Sequence, residues 1–484
     1  MTLTNKQQSP FINGKFQDQL DASTIAVINP ATEEIIAKVS NCDIAIVDKA
    51  VQAANHALEK GAWSKLLPNQ REKLLLDYAT IIENNKASLA ELLVLEHGKL
   101  LVDAKKEVSA AVNCFRYYAG WTTKITGDTL DVSLSGGKHF AFTKREPVGV
   151  VGAIAPWNVP IMMYAWKIAP ALACGCTVVF KPSEETPLTA LKLAELSLDA
   201  NIPEGVINIV TGTGAITGQA IINHPLVAKI TFTGSSATGR IIGQNAAKLL
   251  KKFTLELGGK NPVLVLDDAD FSKVPAGVAK GIFYNQGQVC VSGSRLFLPK
   301  KHFDNTLADM SIIAQSMPLG SGLDAKTKLG PVVSENHFKK VMSYIEQGKQ
   351  DKIELVSGGN RAFDKGYFIE PTIFANVDNK KVSISEEEIF GPVIVAMPYD
   401  DLDDLIAKAN DTSYGLSASI WTQNMSKAHH LIDKIKAGII YVNSAVRSDP
   451  ALPLGGYKQS GIGRELGETA IDAYTELKSV CISY

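Results

Sequence analysis

The chain has 484 residues, of which 45% are hydrophobic and 20% charged, and its formal net charge at pH 7 is −1. This balance is typical of globular proteins, and a charge near zero offers no attraction to nucleic acid or to an anionic membrane. No apolar run reaches the roughly 18 residues that a membrane span needs, and residues 1–10 lack the hydrophobic stretch of a secretion signal. At roughly 150 residues per domain, the length predicts two or three domains.

The cysteines are few and scattered, which argues against a disulfide framework. There is no CxxC pair, and no histidine lies close enough in sequence to suggest a zinc site, so we predict no bound metal. A reduced, cytoplasmic setting is the default expectation. The six positions are Cys42, Cys114, Cys174, Cys176, Cys290 and Cys481.

The first part of the chain reads as two short strands, then helices, then a hairpin. Strands are predicted over 11–16, with a turn at Asn13-Gly14, and over 24–28. Apolar spacing is helical from residue 43 to about 101. Residues 125–146 alternate around Gly136-Gly137, which predicts a hairpin that projects from the body.

From residue 148 onward, predicted strands and helices alternate. Strands separated by helices of this length predict a parallel sheet with helices on both faces, that is, a doubly wound α/β fold. A second βα series follows Gly258. The predicted strands are 148–155, 177–180, 206–210, 229–233, 262–266, 416–422 and 439–443, and the predicted helices are 160–173, 187–200, 216–222 and 236–250.

A cysteine stands in a turn-prone loop, at the end of the segment from Tyr284 to Cys290. In a long chain with a cytosolic composition, such a cysteine is a candidate nucleophile rather than a disulfide partner. Glu256 lies 34 residues upstream, at the end of an apolar strand. A thiol and a carboxylate base together predict covalent catalysis followed by hydrolysis.

Two glycine-containing turns are candidates for phosphate binding. Gly234-Ser235 follows a strand and opens a helix, where free N–H groups and the helix dipole suit a pyrophosphate. The same residues also suit a plain turn with a serine N-cap, and the spacing is GxxxxG rather than GxGxxG. The stretch 212–218 nearly matches GxGxxG, but its last glycine is one place late, so Gly214 is the weaker candidate.

Three further segments contain candidate residues for binding a cofactor or an oxyanion: two follow predicted strands, and one is a run of glutamates. Lys181 could donate to a ribose or a phosphate, and Glu184 could accept from a ribose 2′-hydroxyl and repel a 2′-phosphate, which favours NAD over NADP. Asn158 could point its amide at a developing oxyanion. Glu388 could hold a ribose while Phe390 packs on a flat cofactor. Solvated surface charge is the alternative for Lys181, Glu184 and Glu388.

An apolar face follows Asn158 on the predicted helix. Val159, Met162, Met163 and Trp166 share it, either as plain core or as the wall of a substrate channel. The Gly- and Ser-rich loop after Asn443 could line the mouth of a pocket.

Seven short segments, in this order, closely resemble the aldehyde dehydrogenase superfamily from about Phe11 to the carboxyl end. They are PWN at 156–158, KPSE at 181–184, FTGS at 232–235, LELGGK at 255–260, NQGQVC at 285–290, EEIFGP at 387–392 and GGYKQSG at 455–461.

The resemblance implies roles for individual residues. Cys290 is similar to the family's nucleophile, Glu256 to its general base, and Asn158 to the side-chain half of its oxyanion hole. The implied cofactor is NAD, with NADP less favoured, and Glu256 argues against family members that pass the acyl group to coenzyme A. The implied cofactor contacts are Ile154, Pro156, Trp157, Lys181, Ser183, Glu184, Gly214, Phe232, Gly234, Ser235, Leu257, Gly258, Glu388 and Phe390, and the implied substrate pocket is Val159, Met162, Met163, Trp166, Tyr284, Val289, Val291, Arg447, Ser448 and Leu454.

The same resemblance implies a three-part organisation and a homodimer or homotetramer. The expected cofactor domain is 1–124 with 147–257, the catalytic domain is 258–459, and an oligomerisation hairpin and tail are 125–146 and 467–484.

The resemblance implies a small aldehyde as the substrate, and the nearest resemblance is to phenylacetaldehyde dehydrogenases. Leu454 departs from that pattern, since many members carry phenylalanine there, and Arg447 and Asp449 add charges to the mouth loop. Arg447 and Asp449 pair with each other or with water, or Arg447 holds a carboxylate or other polar end of the substrate. A semialdehyde or a betaine or aliphatic aldehyde is the alternative substrate, and a non-catalytic binding protein on the same fold is a remote one.

Overall fold

A computed structural model describes residues 7–18, 23–377, 382–444 and 448–484 of the chain. The strands are β1 (Gln7–Gln8), β2 (Phe11–Ile12), β3 (Lys15–Phe16), β4 (Thr24–Asn29), β5 (Glu34–Ser40), β6 (Thr129–Leu130), β7 (His139–Pro147), β8 (Val150–Ile154), β9 (Thr177–Lys181), β10 (Ile207–Ile209), β11 (Val227–Thr233), β12 (Lys252–Glu256), β13 (Asn261–Val265), β14 (Gly293–Pro299), β15 (Glu354–Ser357), β16 (Thr372–Ala375), β17 (Val393–Tyr399), β18 (Ser417–Trp421), β19 (Ile439–Val442), β20 (Gly461–Ile462) and β21 (Thr475–Ser483).

The α-helices lie between these strands and cover the sheets. They are α1 (Ile44–Glu59), α2 (Pro68–Asn84), α3 (Lys86–His97), α4 (Leu101–Ala119), α5 (Pro160–Ala173), α6 (Leu188–Asp199), α7 (Gln219–Asn223), α8 (Ser236–Lys248), α9 (Val274–Phe283), α10 (Phe303–Gln315), α11 (Glu335–Gln350), α12 (Ser383–Glu386), α13 (Leu402–Asn410), α14 (Met425–Lys434) and α15 (Thr469–Tyr474).

An eight-stranded sheet holds the first βα series, in the order β20-β12-β11-β8-β9-β10-β2-β3. The five strands from β12 to β10 are parallel. β8 and β9 are buried along their whole length, and their apolar runs, VVGAI and the central VVF, are typical of a sheet covered on both faces. The chain winds outward from β8 in one direction to β10, and returns on the other side to β11 and β12. The point where the direction reverses, between β8 and β11, is where ligands bind in sheets of this kind.

The second βα series forms a seven-stranded sheet in the order β15-β16-β17-β14-β13-β18-β19. Only the β15–β16 pair is antiparallel. The loop that follows α9 runs from Tyr284 to Ser292 and enters β14, so this sheet carries the predicted nucleophile. The two sheets and the α/β pattern confirm the predicted fold class.

A three-stranded sheet, β21-β7-β6, contains the predicted hairpin and the tail. β21 pairs antiparallel with β7 over nine residues, from Thr475 with Pro147 to Ser483 with His139. Leu130, Val132, Leu134 and Phe140 are exposed on or beside the hairpin. That this sheet mediates oligomerisation stays a prediction, as do the three domain boundaries.

The structure departs from the sequence-based elements mainly before residue 125. The predicted helical stretch 43–101 is three helices, broken around Gly61 and again at Asn85, with Pro68 as the first residue of α2. Gly98, in the left-handed conformation at φ 88°, ends α3. Strand β5 and helix α4 were not predicted. The predicted helix 216–222 begins instead as a π-helical turn over Gly214–Gly218.

No helix in the described part of the chain has both the length and the apolarity to cross a membrane. Among the same residues there is no group of three or more His, Cys, Asp or Glu side chains placed to hold a metal ion.

Candidate active site

The loops after β8 and β11 meet at the point where the winding of the first sheet reverses. The first contains Pro156, Trp157 and Asn158, and the second contains Gly234 and Ser235. Ser235 is the N-cap of α8 and accepts a hydrogen bond from Thr238 N at 3.3 Å. The aromatic ring of Phe232 lies beneath the turn, so close that a β-carbon at Gly234 would come within 2.5 Å of it.

Cys290 lies at the end of a strained turn. Asn285 and Gln286 both adopt the left-handed conformation, at φ 50° and 59°, which non-glycine residues rarely do. The carbonyl of Cys290 accepts from the amide of Asn261 at 2.7 Å, and the same amide donates to Ser292 O at 2.9 Å. One side chain of β13 therefore fixes the backbone from Cys290 to Ser292, immediately after the predicted nucleophile.

The surroundings of Cys290 disfavour the thiolate form of its side chain. Burial raises its pKa to about 12, and the negative charges of Glu388 and Glu256 contribute to the rise. Since a cysteine attacks as its thiolate, the predicted role of Cys290 requires a base or a positive charge.

Asn158 is buried and held at both its backbone and its side chain. Its amide Nδ2 donates to Gln288 O at 3.0 Å, which uses one of its two N–H donors. Its backbone carbonyl accepts from Lys99 Nζ and from Asn285 Nδ2, each at 3.0 Å. The side chain predicted to stabilise an oxyanion thus lies beside the Cys290 turn in a fixed orientation.

Glu256, at the end of β12, is buried without a hydrogen bond to either carboxyl oxygen within the described residues. Burial raises the pKa of its carboxyl well above the usual value, and the negative charge of Glu465 adds to this effect. Glu465 itself forms a buried pair with Lys167 at 2.6 Å. A β-carbon at Gly455 would come within 2.9 Å of Glu256 Oε1, so the 455–456 loop covers this carboxyl.

A cavity of about 560 Å³ opens on one side of Cys290, within the roughly 300–1,000 Å³ typical of small-molecule sites. Nine of the ten predicted substrate-pocket residues line it: Val159, Met162, Met163, Trp166, Tyr284, Val289, Val291, Ser448 and Leu454. The tenth, Arg447, lies outside the described residues. Their roles in binding stay predictions.

The wall of this aldehyde-side cavity includes residues that the sequence reasoning missed. They are Lys106, Glu107, Ala110, Lys280, Gly281 and Tyr441. Three of them lie on α4, the helix that was not predicted. The signal that could have found them is the apolar face of 101–119 that includes Ala104, Val108 and Ala111.

A second cavity, of about 210 Å³, opens on the other side of Cys290. Eight of the fourteen predicted cofactor residues line it: Pro156, Trp157, Gly234, Ser235, Leu257, Gly258, Glu388 and Phe390. Cys290, Asn158 and Met163 line both cavities. His337, Lys340 and Thr233 complete the cofactor-side wall and were not predicted, because nothing in the local sequence distinguishes them.

The other six predicted cofactor residues do not line this cavity: Ile154, Lys181, Ser183, Glu184, Gly214 and Phe232. Lys181 is buried, with Nζ 2.9 Å from Pro182 O and 3.4 Å from a carboxylate oxygen of Glu184, and burial lowers its pKa. A β-carbon at Gly218 would lie 3.9 Å from the side chains of both Ile154 and Lys181. Ile154, Lys181 and Glu184 therefore lie in a separate patch at the carboxyl end of β9, whereas Phe232 packs under Gly234.

Aromatic rings and a carboxylate shape the cofactor-side cavity. The Phe390 ring meets Trp157 edge-on, with centroids 5.3 Å apart. The carbonyl of Phe390 accepts from His337 Nε2 at 2.7 Å, and burial lowers the His337 pKa to about 4. Glu388 accepts from Gly259 N at 2.9 Å, and burial raises its pKa. These contacts hold the 388–390 segment against the loop of Leu257 and Gly258.

The predicted residues suit a dinucleotide. The start of α8 presents backbone N–H groups to a cavity that has aromatic walls and a carboxylate. Gly234 and Gly258 let Phe232 and Glu388 pack against the backbone, because a β-carbon would come within 2.5 and 2.3 Å of those side chains. Lys181 and Glu184 form a polar patch beyond it that suits an adenosine ribose.

Comparison with known proteins gives one consistent result. The model of the aldehyde dehydrogenase family matches residues 16–480. A phenylacetaldehyde dehydrogenase of Pseudomonas fluorescens is 45% identical over 98% of this chain and 95% of its own length. The mitochondrial aldehyde dehydrogenase of Homo sapiens is 42% identical over 98% and 91%. The NAD+ complex of an aldehyde dehydrogenase from Bacillus cereus has a TM-score of 0.96 at 44% identity, covering 99% of this chain and 96% of that one.

Proposed function

Given that the chain belongs to the aldehyde dehydrogenase family and oxidises an aldehyde with NAD, we propose that Cys290, Asn158 and Glu256 carry out the reaction. We further propose that the substrate is an arylacetaldehyde such as phenylacetaldehyde. The observation that carries this proposal is the position of Cys290 at the junction of the two cavities. A nucleophile that lines both can meet an aldehyde from one side and a nicotinamide from the other.

The first half of the proposed reaction takes place on the Cys290 sulfur. The thiol loses its proton to a base, and the sulfur forms a bond to the carbonyl carbon, which gives a tetrahedral thiohemiacetal with a negative oxygen. Asn158 Nδ2 and the Cys290 backbone N–H stabilise that oxygen. NAD, when bound, supplies the acceptor for the two electrons and the hydrogen that leave the carbon. A thioester on Cys290 remains.

The second half uses Glu256. Its carboxylate accepts a proton from a water molecule, which attacks the thioester carbon; the bond between carbon and sulfur breaks, and the carboxylic acid leaves. The buried position of Glu256, with no hydrogen bond in the described structure, supports this role. A carboxyl whose pKa burial raises toward the working pH accepts and releases protons more readily than an exposed one.

The cofactor is expected to be held by the residues of the smaller cavity and by the patch around Lys181. Ser235 and the start of α8 suit the pyrophosphate, and Glu388 and Phe390 suit the nicotinamide side. Glu184 supports a preference for NAD, because its carboxylate repels a 2′-phosphate.

The apolar wall of the aldehyde-side cavity supports an aromatic substrate. Val159, Met162, Met163, Trp166 and Leu454 surround the space in front of Cys290. Sulfur and aromatic side chains pack favourably on a phenyl ring. A relative 45% identical over nearly the whole chain has the name phenylacetaldehyde dehydrogenase.

A semialdehyde is the second candidate, and one observation favours it. The same cavity wall includes the cationic side chains Lys106 and Lys280. Lys106 is paired with Asp103 at 2.8 Å, whereas Lys280 is exposed on α9. Lys280 could therefore attract an aldehyde with a distal carboxylate.

Initial rates of NADH formation across a panel of aldehydes test the proposal. The panel contains phenylacetaldehyde, indole-3-acetaldehyde, betaine aldehyde, hexanal and succinic semialdehyde, each with NAD and with NADP. We expect the highest kcat/KM for the arylacetaldehydes with NAD, and no turnover in a Cys290→Ala control. A preference for succinic semialdehyde that Lys280→Met abolishes would replace the aromatic substrate with the second candidate.

A further inference from the structure

A buried ion pair lies behind Asn158, and none of the proposed reaction steps uses it. Lys99, in the link between α3 and α4, forms a salt bridge with Glu107 of α4, and the side chain of each is 3% exposed. Taking two charges out of water is unfavourable unless every polar atom of the pair finds a partner. The other contacts of the two side chains therefore indicate what the pair is for.

Glu107 serves as the cap of α5. The N-cap residue of that helix is Val159, whose side chain cannot accept a hydrogen bond, and Pro160 at the first helical position has no N–H. The free N–H groups of the first turn are those of Ile161 and Met162, and both donate to Glu107 Oε1, at 2.9 and 3.3 Å. A carboxylate from a neighbouring helix thus replaces the missing cap and matches the positive end of the helix dipole.

Lys99 connects that cap to the oxyanion donor. Besides its bond to Glu107, Nζ donates to the carbonyl of Asn158 at 3.0 Å. Asn285 Nδ2 donates to the same carbonyl at 3.0 Å. With the carbonyl of Asn158 held by two donors and the next turn held by Glu107, the peptide that carries the Asn158 side chain has one orientation, in which Nδ2 meets Gln288 O.

We propose that Lys99 and Glu107 are positioning residues, which act on the reaction by fixing Asn158 in the orientation that stabilises the oxyanion. The inference rests on the role proposed above for Asn158. Lys99 lines neither cavity, so its effect on the reaction must pass through Asn158. Glu107 also lines the aldehyde-side cavity, so only non-additivity with position 158 identifies a positioning effect of Glu107. A purely structural role would instead be independent of the side chain at position 158.

A double-mutant cycle of Lys99 and Asn158 distinguishes the positioning role from a purely structural role. Displacing a catalytic group by about 1 Å can cost about 100-fold in rate, so we expect Lys99→Met to lower kcat by about 10- to 100-fold, with the KM for NAD within about twofold of its starting value. In an Asn158→Ala background, the same change should cost less than about twofold, since the group it positions is absent.

Glu107→Gln provides the second variant, because its amide oxygen can still accept from Ile161 while its charge is lost. It should show a smaller loss with the same non-additivity, and it decides the question if Lys99→Met does not fold. Glu96→Gln is the matched control. Glu96 is a buried carboxylate that caps α6 in the same way, accepting from Leu188 N at 2.7 Å and Thr189 N at 3.1 Å, and its substitution should leave kcat within about twofold.

Equal fold-losses in the native and Asn158→Ala backgrounds, or unchanged kcat in both Lys99→Met and Glu107→Gln, would overturn the positioning role. An Asn158→Ala variant with full activity would instead refute the oxyanion role in the proposed function, so the two failures are distinguishable.

Discussion

Asn158 and Glu256 both serve Cys290 in the proposed mechanism, but the protein holds them in opposite ways. Asn158 is bonded at its carbonyl by two donors and at its amide by Gln288 O. Glu256 is equally buried and has no hydrogen bond to either oxygen among the described residues. A donor that stabilises charge works best when it cannot move, whereas a base must take up a proton, give it away and admit a water molecule. The difference follows the difference in task.

The largest expected effect is on the base side. Glu256→Gln should lower steady-state kcat by about 10²–10⁴-fold, because hydrolysis of the thioester loses its general base. If Cys290 can still be acylated, a pre-steady-state burst of NADH close to one equivalent per active site should remain. Stopped-flow absorbance at high enzyme concentration measures both. The absence of a burst would mean that Glu256 is also needed to deprotonate Cys290.

Removing the Asn158 side chain should lower kcat less than Glu256→Gln does, and should affect an earlier step of the reaction. Asn158→Ala should lower kcat by about 10²–10³-fold, since one donor to the oxyanion is removed. Here the burst itself should slow, because the tetrahedral adduct forms before any NADH. The same stopped-flow measurement provides the comparison. A normal burst in Asn158→Ala would show that the two sides do not divide the reaction as proposed.

The pH dependence of kcat should reflect the titration of the Glu256 carboxyl. Glu256 acts as a base only when ionised, and burial raises its pKa, so kcat should fall by about tenfold per pH unit below that raised pKa. Steady-state rates from pH 5 to 9 would show this acidic limb. If the residual activity of Glu256→Gln shows the same acidic limb, the limb belongs to the titration of another group.

The effects on thermal stability should be the smallest, and Glu256→Gln and Asn158→Ala should change it in opposite directions. The folded-state pKa of Glu256 is raised, so its contribution to stability is present at low pH and is lost as pH rises through that pKa. Glu256→Gln should therefore raise the melting temperature at pH 9 and leave it nearly unchanged at pH 4. Thermal unfolding followed by circular dichroism at the two pH values measures this difference.

Asn158→Ala is the counterpart of that stability measurement. It removes one donor to Gln288 O and should destabilise by about 1 kcal/mol at either pH. The loss stays small because Asn285 Nδ2 also donates to Gln288 O, at 3.3 Å. A Glu256→Gln effect that is the same at both pH values would contradict the cost assigned to the buried carboxylate.

Much of this arrangement could be predicted from short motifs, because each motif follows a strand of a parallel sheet. The strand ends β8, β11 and β12 meet at one edge, so Asn158, Ser235 and Glu256 had to lie near one another once the fold class was known. The doubly wound fold was confirmed. Cys290 was singled out as the candidate nucleophile because a cysteine in a glycine-containing turn is unusual in a sequence of this composition, and that role stays a prediction.

The parts that could not be predicted depend on contacts distant in sequence. Glu107 and Lys99 look like ordinary helix-surface charges, and only the docking of α4 on α5 brings them behind Asn158. His337 reaches the cofactor-side cavity through α11, about 50 residues from the Glu388 segment it contacts. Helix α4 itself was missed because the helical pattern before it ends at Gly98, and Leu100, which cannot cap a helix with its side chain, gives no sign of a restart three residues later.

The pairing of β7 with β21 has a consequence for how the chain is made. Arg145 and Thr475, whose side chains meet at 3.3 Å, are separated by 330 residues. During synthesis, β7 emerges long before β21, and one edge of it stays unpaired while the second sheet is built. Open strand edges with apolar neighbours such as Phe140 are sites where nascent chains join one another. We therefore expect the yield of this protein in a cell to depend on how quickly β21 reaches that edge, and shielding of the edge by a chaperone to matter most in that interval.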